Sequence, residues 1–406
     1  MLSLSDAPLV VADCVRRETC RASGGPLEDL LDLGELHLSS FLAPGDPVPP
    51  RYPLTLAWNA ESGLVQLRHT VQPDRMFRRY WYRSGTNEAM RRHLTDLAHD
   101  LTARLHLGAH DVVLDIGCND GTLLHAYPDG VHTVGYDPAE IVPDGVDTFI
   151  NDYFAADTYD GPSARAVTSL AMFYDLEDPV GFAQDVARVL ADDGLWVIEM
   201  HYLPAMLALR SLDAICHEHL GYYSLRSLDY VLRQAGLVVV DVSQNGVNGG
   251  SFRAYVQKRG QPSPAVLALR ESEHDLDFTG FARDIVTNRT ATRALLTTLK
   301  AQGKLVLGYG ASTKGNTLLQ YYGLGPDLLP LIAERSPDKW GLRTVGSDIP
   351  IVAEAEARRL RPDTFLALPY HFLDTFLARE AAFVARGGRF LVPVPVPHLV
   401  PEERAA

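Results

Sequence analysis

In this 406-residue chain, Cys216-His217-Glu218-His219-Leu220-Gly221-Tyr222-Tyr223 gathers two imidazoles around a carboxylate, with two phenols close behind. General acid–base chemistry needs such groups held in a pocket, and imidazole titrates near neutral pH. His-x-His could also hold a metal, or all three residues could be routine loop positions. A metal would need a third ligand that the run does not offer, whereas proton transfer would not. His219 is therefore the candidate base, and Glu218 the group that orients an imidazole or a substrate hydroxyl. Tyr222 and Tyr82 are candidate donors to a developing oxyanion, with Tyr223 and Tyr80 as further phenols, although a tyrosine pair alone more often belongs to a core.

A second run, Asp115-Ile116-Gly117-Cys118-Asn119-Asp120-Gly121-Thr122, follows the apolar Val112-Val113-Leu114. Glycines at a strand-to-helix turn let the backbone approach a ligand and present helix N-terminal amides to it. A dinucleotide fingerprint would read G-x-G-x-x-G. Here the pattern is D-x-G-x-x-x-G, which resembles motif I of class I S-adenosylmethionine-dependent methyltransferases. The acid suits a cofactor that has no pyrophosphate and carries a cationic aminoacyl end. One strand later Asp137 closes Gly135-Tyr136-Asp137, where an acid can accept ribose hydroxyls. Asn151-Asp152-Tyr153-Phe154 is placed to pack against adenine. The expected cofactor contacts are Asp115, Gly117, Asn119, Gly121, Thr122, Asp137, Asp152 and Tyr153.

These residues need a scaffold that brings them together. Strand-like runs at Val112–Asp115, Thr133–Asp137, Ala166–Leu170 and Leu195–Glu199 alternate with helical segments, which predicts a doubly wound parallel sheet. It is expected to end in strands at Val238–Asp241 and Phe252–Val256. The spacing also predicts helices over Met90–Leu107, from Thr122 to Tyr127, over 180–190, and along a long stretch from about Pro264 to Ala301. A second alternating unit begins at Lys304-Leu305-Val306-Leu307-Gly308-Tyr309-Gly310. The first 72 residues instead read as short strands around the turn Asn59-Ala60-Glu61-Ser62. The expected division is a small N-terminal domain over 1–72, a central Rossmann-like domain over 73–260 and a smaller C-terminal α/β domain over 261–406.

Composition narrows the partners. A net charge of −14 argues against nucleic acid, whose phosphates need a basic face. No uncharged apolar run approaches the roughly 20 residues that span a bilayer. The start, Met1-Leu2-Ser3-Leu4-Ser5-Asp6, lacks the basic and apolar regions of a signal peptide, and four scattered cysteines suggest no disulfide framework. A cytoplasmic protein without membrane contact is expected, as a monomer or homodimer.

With the cofactor motif in place, nearly the whole chain resembles the sugar C-methyltransferases, three-domain enzymes that methylate a carbon of nucleotide-linked keto-deoxysugars. The matching segments are Tyr80-Trp81-Tyr82-Arg83-Ser84-Gly85, the Asp115 turn, the His217–His219 run, Asn248-Gly249-Gly250-Ser251 and Gly310-Ala311-Ser312-Thr313-Lys314-Gly315-Asn316. The resemblance implies S-adenosylmethionine as cofactor, removal by His219 of a proton beside a ketone, and methyl transfer to carbon. The nucleotide is expected to be dTDP, in natural-product or polysaccharide biosynthesis. Substrate contacts are expected from Tyr80, Tyr82, Asn248, Gly249 and Ser251, and from Ser312, Lys314, Asn316 and Arg335. The Gly310–Asn316 loop, with helix-start amides and a lysine, suits a diphosphate. An O- or N-methyltransferase acting on a small metabolite is the alternative.

Three departures stand out. The family's N-terminal domain holds zinc with two Cys-x-x-Cys pairs, but here only Cys20 remains, with Ser23, Asn59 and Ser62 at the other three positions. One thiolate among hydroxyls and an amide is not a structural zinc site, so no metal is expected and the domain should hold together by its apolar residues alone. Cys216 stands where a Tyr often precedes His-Glu-His, and Asn248 where a His often precedes Gly-Gly-Ser.

Overall fold

Each residue of Val112–Ile116 is buried, as a strand covered on both faces must be. In the computed structural model, which describes residues 13–78 and 82–402, this strand belongs to a seven-stranded sheet. The order is Val238–Asn245, Ser251–Gln257, Leu190–His201, Ala164–Leu170, Val112–Ile116, His132–Tyr136, Thr148–Ile150. Only Ser251–Gln257 runs antiparallel to its neighbours. This is the Rossmann-like sheet expected for the middle of the chain. A second sheet, in the order Ile351–Ala353, Ile332–Glu334, Val306–Tyr309, Thr364–Ala367, Arg389–Val392, His398–Val400, gives the expected C-terminal α/β unit. Its last strand alone is antiparallel.

Helix boundaries differ from the sequence pattern for identifiable reasons. The Glu88–Leu105 helix starts at Asn87, whose side chain accepts from the Ala89 amide, and stops early because His106 takes a left-handed cap at φ 52°. The helix expected from Thr122 is a single 3-10 turn, Leu124–Ala126, because Tyr127 precedes Pro128 and is held extended. The long helical stretch divides into Pro264–Ser272 and Phe278–Ala301. Between them, Glu273 turns inward and accepts from the Leu225 amide at 2.7 Å and the Tyr202 hydroxyl at 2.8 Å.

The N-terminal sheet has the order Gly221–Tyr222, Val65–Leu67, Arg51–Trp58, Glu28–His37. Its edge strand therefore comes from the His217–Tyr223 segment, with Gly221 opposite Gln66 and Tyr222 opposite Val65. Phe41 and Leu42 pair in turn with Thr344 and Arg343 of the C-terminal region. One apolar cluster runs from Leu54 and Leu56 through Leu212 and Ile215 to Leu318 and Leu391. All three regions thus share buried surface.

The expectation that apolar residues alone hold the N-terminal region needs correcting. Its four would-be metal positions bond to one another. Ser23 Oγ donates to Asn59 Oδ1 at 3.0 Å, and the Ser62 amide and hydroxyl both reach Asn59 Oδ1 at 2.9 Å. Cys20 Sγ lies 3.3 Å from Ser62 Oγ. A hydrogen-bonded knot centred on the Asn59 amide occupies the place of a metal. That donor set does not fit zinc, which needs thiolates or imidazoles. Among the described residues, no three His, Cys, Asp or Glu side chains cluster as metal ligands. Among the same residues, no helix is long and apolar enough to cross a membrane.

Candidate active site

Asp115 sits at the carboxyl end of its strand, where ligands bind in open α/β sheets. Its Oδ1 accepts from Thr168 Oγ1 at 2.5 Å. Burial, opposed by that bond and reinforced by nearby Asp137, pushes its carboxyl up to about 7. A buried acid in that state is suited to a cationic partner. The turn that follows takes left-handed backbone at Gly117 (φ 80°) and Gly121 (φ 76°). A Cβ on Gly121 would come within 2.9 Å of Pro143 Cβ, so the turn requires glycine for space as well as conformation.

Asp137 accepts from the Asn119 amide and from the Ala139 amide, each at 2.8 Å, and so locks the turn against the neighbouring strand. Burial still raises its carboxyl, against those two bonds. The Asn119 side chain bridges outward, accepting from the Ser84 amide at 3.1 Å and donating to the Tyr82 carbonyl at 3.1 Å. It thereby straps the Tyr82–Gly85 segment over the turn. Asp152 is largely exposed, and the Tyr153 hydroxyl donates to Asp74 at 3.0 Å. Thr122 turns to Asp120 at 2.5 Å.

A single cavity of about 690 Å³ connects this turn to the His217–His219 loop. Asp115, Gly117, Asn119, Asp137, Asp152, Tyr153 and Tyr82 line one part, and Glu218, His219, Asn248, Ser251 and Lys314 another. Leu38, Pro49, Tyr52 and Met76 of the N-terminal region form a further wall. The structure therefore brings together most of the residues that the sequence singles out, from all three regions.

His219 Nδ1 lies 2.8 Å from the Ala214 carbonyl. A carbonyl can only accept, so Nδ1 carries the hydrogen and Nε2 keeps its lone pair. Burial, aided by the Lys314 charge, pushes the imidazole down to about 3, so it is neutral at physiological pH. The Tyr174 ring packs against it with centroids 4.3 Å apart. His217 has a different task, since its Nε2 meets the Tyr52 carbonyl at 3.1 Å and pins the loop to the N-terminal sheet. Glu218 lines the cavity with Oε2 buried and without a hydrogen-bond partner. Burial raises its carboxyl. The Tyr222 and Tyr223 side chains are buried behind the loop, and neither lines the cavity.

Other sequence-predicted positions are placed as follows. Tyr80 lies outside the described residues. Gly249 takes φ 88° beside Asn248 at φ 55°, in the turn that presents Asn248 to the cavity. Ser312 caps the Thr313–Tyr322 helix, accepting from the Gly315 amide at 3.0 Å. The Asn316 side chain donates to the Ser40 carbonyl at 2.9 Å and ties the C-terminal helix to the N-terminal region. Arg335 is exposed, and neither it nor Asn316, Ser312 or Thr122 lines the cavity.

Sequence reasoning missed three polar residues that line the cavity, Asp175, His93 and Glu199, and His201 beside it. Asp175 lies in a 3-10 turn just past the Ala164–Leu170 strand and lines the cavity, with Oδ1 buried and unpartnered. Burial and the proximity of Glu218 raise its carboxyl far above the usual range. His93 pairs with Glu199, which also accepts from Arg253 Nε at 2.6 Å. His201 ends the same strand as Glu199 and lies 2.6 Å from Lys314 Nζ. The rule that ligands gather at the carboxyl ends of parallel strands could have flagged Asp175, Glu199 and His201.

Comparisons with known proteins agree with this architecture. A sequence model for a C-methyltransferase C-terminal domain matches residues 246–395, one for a methyltransferase domain matches 87–242, and one for a zinc binding domain matches 20–77. The C-methyltransferase NovU of Streptomyces niveus is 32% identical over 374 residues, covering 87% of this chain and 88% of its own length. Magnesium protoporphyrin IX methyltransferase of Synechocystis, solved with S-adenosylhomocysteine, is 14% identical over 42% of this chain and 87% of its own, at a TM-score of 0.33. The Burkholderia thailandensis 1,6-didemethyltoxoflavin N1-methyltransferase is 17% identical over 43% and 80%, at a TM-score of 0.32. Structural likenesses that weak carry no weight.

Proposed function

The chain belongs to the S-adenosylmethionine-dependent C-methyltransferases, and on that footing we propose that it methylates a carbon flanking the ketone of a nucleotide-linked 4-keto-deoxysugar, with dTDP as the nucleotide. When bound, the cofactor supplies an electrophilic methyl group on a sulfonium. Asp115 would hold its cationic aminoacyl end, the Gly117 and Gly121 turn would let it approach the backbone, and Asp137 would accept from the ribose. Asp152 and Tyr153 would border the adenine.

The observation that carries the reading is the orientation of His219. Its Nδ1 hydrogen is committed to the Ala214 carbonyl, and its ring lines the same cavity as the glycine turn. A neutral imidazole with one free lone pair is the form that removes a proton. Carbon beside a ketone is acidic enough for that base if the resulting enolate is stabilised. Glu218, Asn248 and Ser251 would meet the sugar hydroxyls, and Tyr82, strapped over the turn by Asn119, would border the reacting groups. We also propose the division into regions 1–72, 73–260 and 261–406, with the first and third closing the chamber around the second. Turnover across a panel of nucleotide-linked keto-sugars is the test. His219→Asn should lower turnover by about two to four orders of magnitude while cofactor binding persists. Turnover by that variant close to wild type would remove His219 as base.

A further inference from the structure

The C-terminal region delivers one cation into the chamber. Lys314 stands in the first turn of the Thr313–Tyr322 helix, whose start is fixed by the Ser312 cap. Its side chain lines the cavity, and Nζ donates to His201 Nε2 at 2.6 Å. The His201 ring is centred 6.4 Å from that of His219. Among the described residues Lys314 forms no ion pair. The nearby acid, Asp213, supports its charge but is engaged by the Tyr370 hydroxyl at 2.6 Å. No carboxylate among the described residues touches the ammonium, so Nζ keeps donor capacity for a negative oxygen that a ligand brings.

A lysine meant only for a diphosphate would serve well at the rim. Lys314 instead lines the cavity beside His219, and its charge acts on the buried imidazoles of His201 and His219 and on that of the half-buried His371. We propose that Lys314 holds the carbonyl oxygen at the reacting centre and receives the enolate charge there, as the electrophilic partner of His219. This rests on the carbon-acid reading above. In the step, the bond from the α-carbon to hydrogen breaks and the proton passes to His219 Nε2. The electron pair of that bond becomes the carbon–carbon double bond, and the carbonyl π pair moves onto oxygen, beside the Lys314 ammonium. His201, accepting from the same ammonium, would be a positioning residue that aims it.

The step can be read without the cofactor. With dTDP-4-keto-6-deoxyhexoses deuterated at both carbons flanking the ketone, wild type should wash deuterium into water. Lys314→Met should slow that exchange by about 100-fold or more, the usual effect of removing one oxyanion donor. Lys314→Arg, which keeps a charged donor, should lose less. Calorimetric binding of S-adenosylhomocysteine would confirm that each variant is folded. Exchange by Lys314→Met near the wild-type rate, with only KM raised, would overturn the proposal and make Lys314 a phosphate ligand. An absence of exchange in wild type would instead sink the carbon-acid reading and this proposal with it. A substrate-free measurement separates the two failures. The His219 imidazole, followed by NMR, should titrate higher in Lys314→Met than in wild type, and an unchanged midpoint would remove the proximity on which the proposal stands.

Discussion

Asp115 carries a signature that can be measured at the level of one residue. Its carboxyl is pushed up to about 7 by burial, so in the free protein it holds a proton at mildly acid pH. A cationic ligand end favours the ionised form and must displace that proton. Affinity for S-adenosylmethionine should therefore rise with pH up to about 7 and level off above it, and calorimetry on Asp115→Asn should show the slope gone. His219 gives the opposite expectation. Held down to about 3 by burial and Lys314, it stays neutral across the working range. The pH profile of kcat/KM should then lack an acid limb near imidazole's ordinary value of about 6.5. A limb there that vanishes in His219→Asn would contradict the burial argument. Asp115, Asp137, His219 and Lys314 were legible in the sequence because each lies in a short motif with its own local geometry. Asp175 and His93 were not, because only the topology brings them to the cavity, and neither was His201, which the topology brings to Lys314.

Among the elements, the strand Gly221–Tyr222 does something that periodicity does not suggest. It joins the N-terminal sheet, and the Leu67 amide donates to the Leu220 carbonyl at 2.9 Å, so the segment that carries His219 is held from outside the central region. A two-residue strand leaves no repeat to detect. The central strands were legible because their apolar runs are continuous, whereas the split at Glu273 depends on a side chain that turns inward to distant amides. The Ser312 cap makes a modest, testable contribution. Ser312→Ala should cost about 1 kcal/mol in chemical denaturation and loosen the turn that carries Lys314. The Asn59 knot should matter more. Asn59→Ala removes the acceptor shared by Ser23 and Ser62 and leaves those donors unpaired, so thermal unfolding should shift down by several degrees. A chelator should leave the wild-type Tm unchanged, and a chelator-induced fall would reinstate a metal in that region.

At the scale of the whole molecule, the cavity belongs to no single region. The central sheet supplies the glycine turn and Asp175, the N-terminal region a largely apolar wall, and the C-terminal helix Lys314. Strand alternation made the two parallel sheets readable, yet the shared core from Leu54 to Leu391 and the pairing of Phe41 with Thr344 depend on packing between distant segments. That packing places His219 of one region and Lys314 of another on the wall of one cavity. The most direct test of carbon methylation beside the ketone is the bonding of the transferred group. With S-adenosylmethionine labelled with carbon-13 at the methyl and a dTDP-4-keto-deoxysugar, NMR of the product should show the labelled methyl bonded to a ring carbon flanking the ketone. A label found on oxygen or nitrogen would contradict the account.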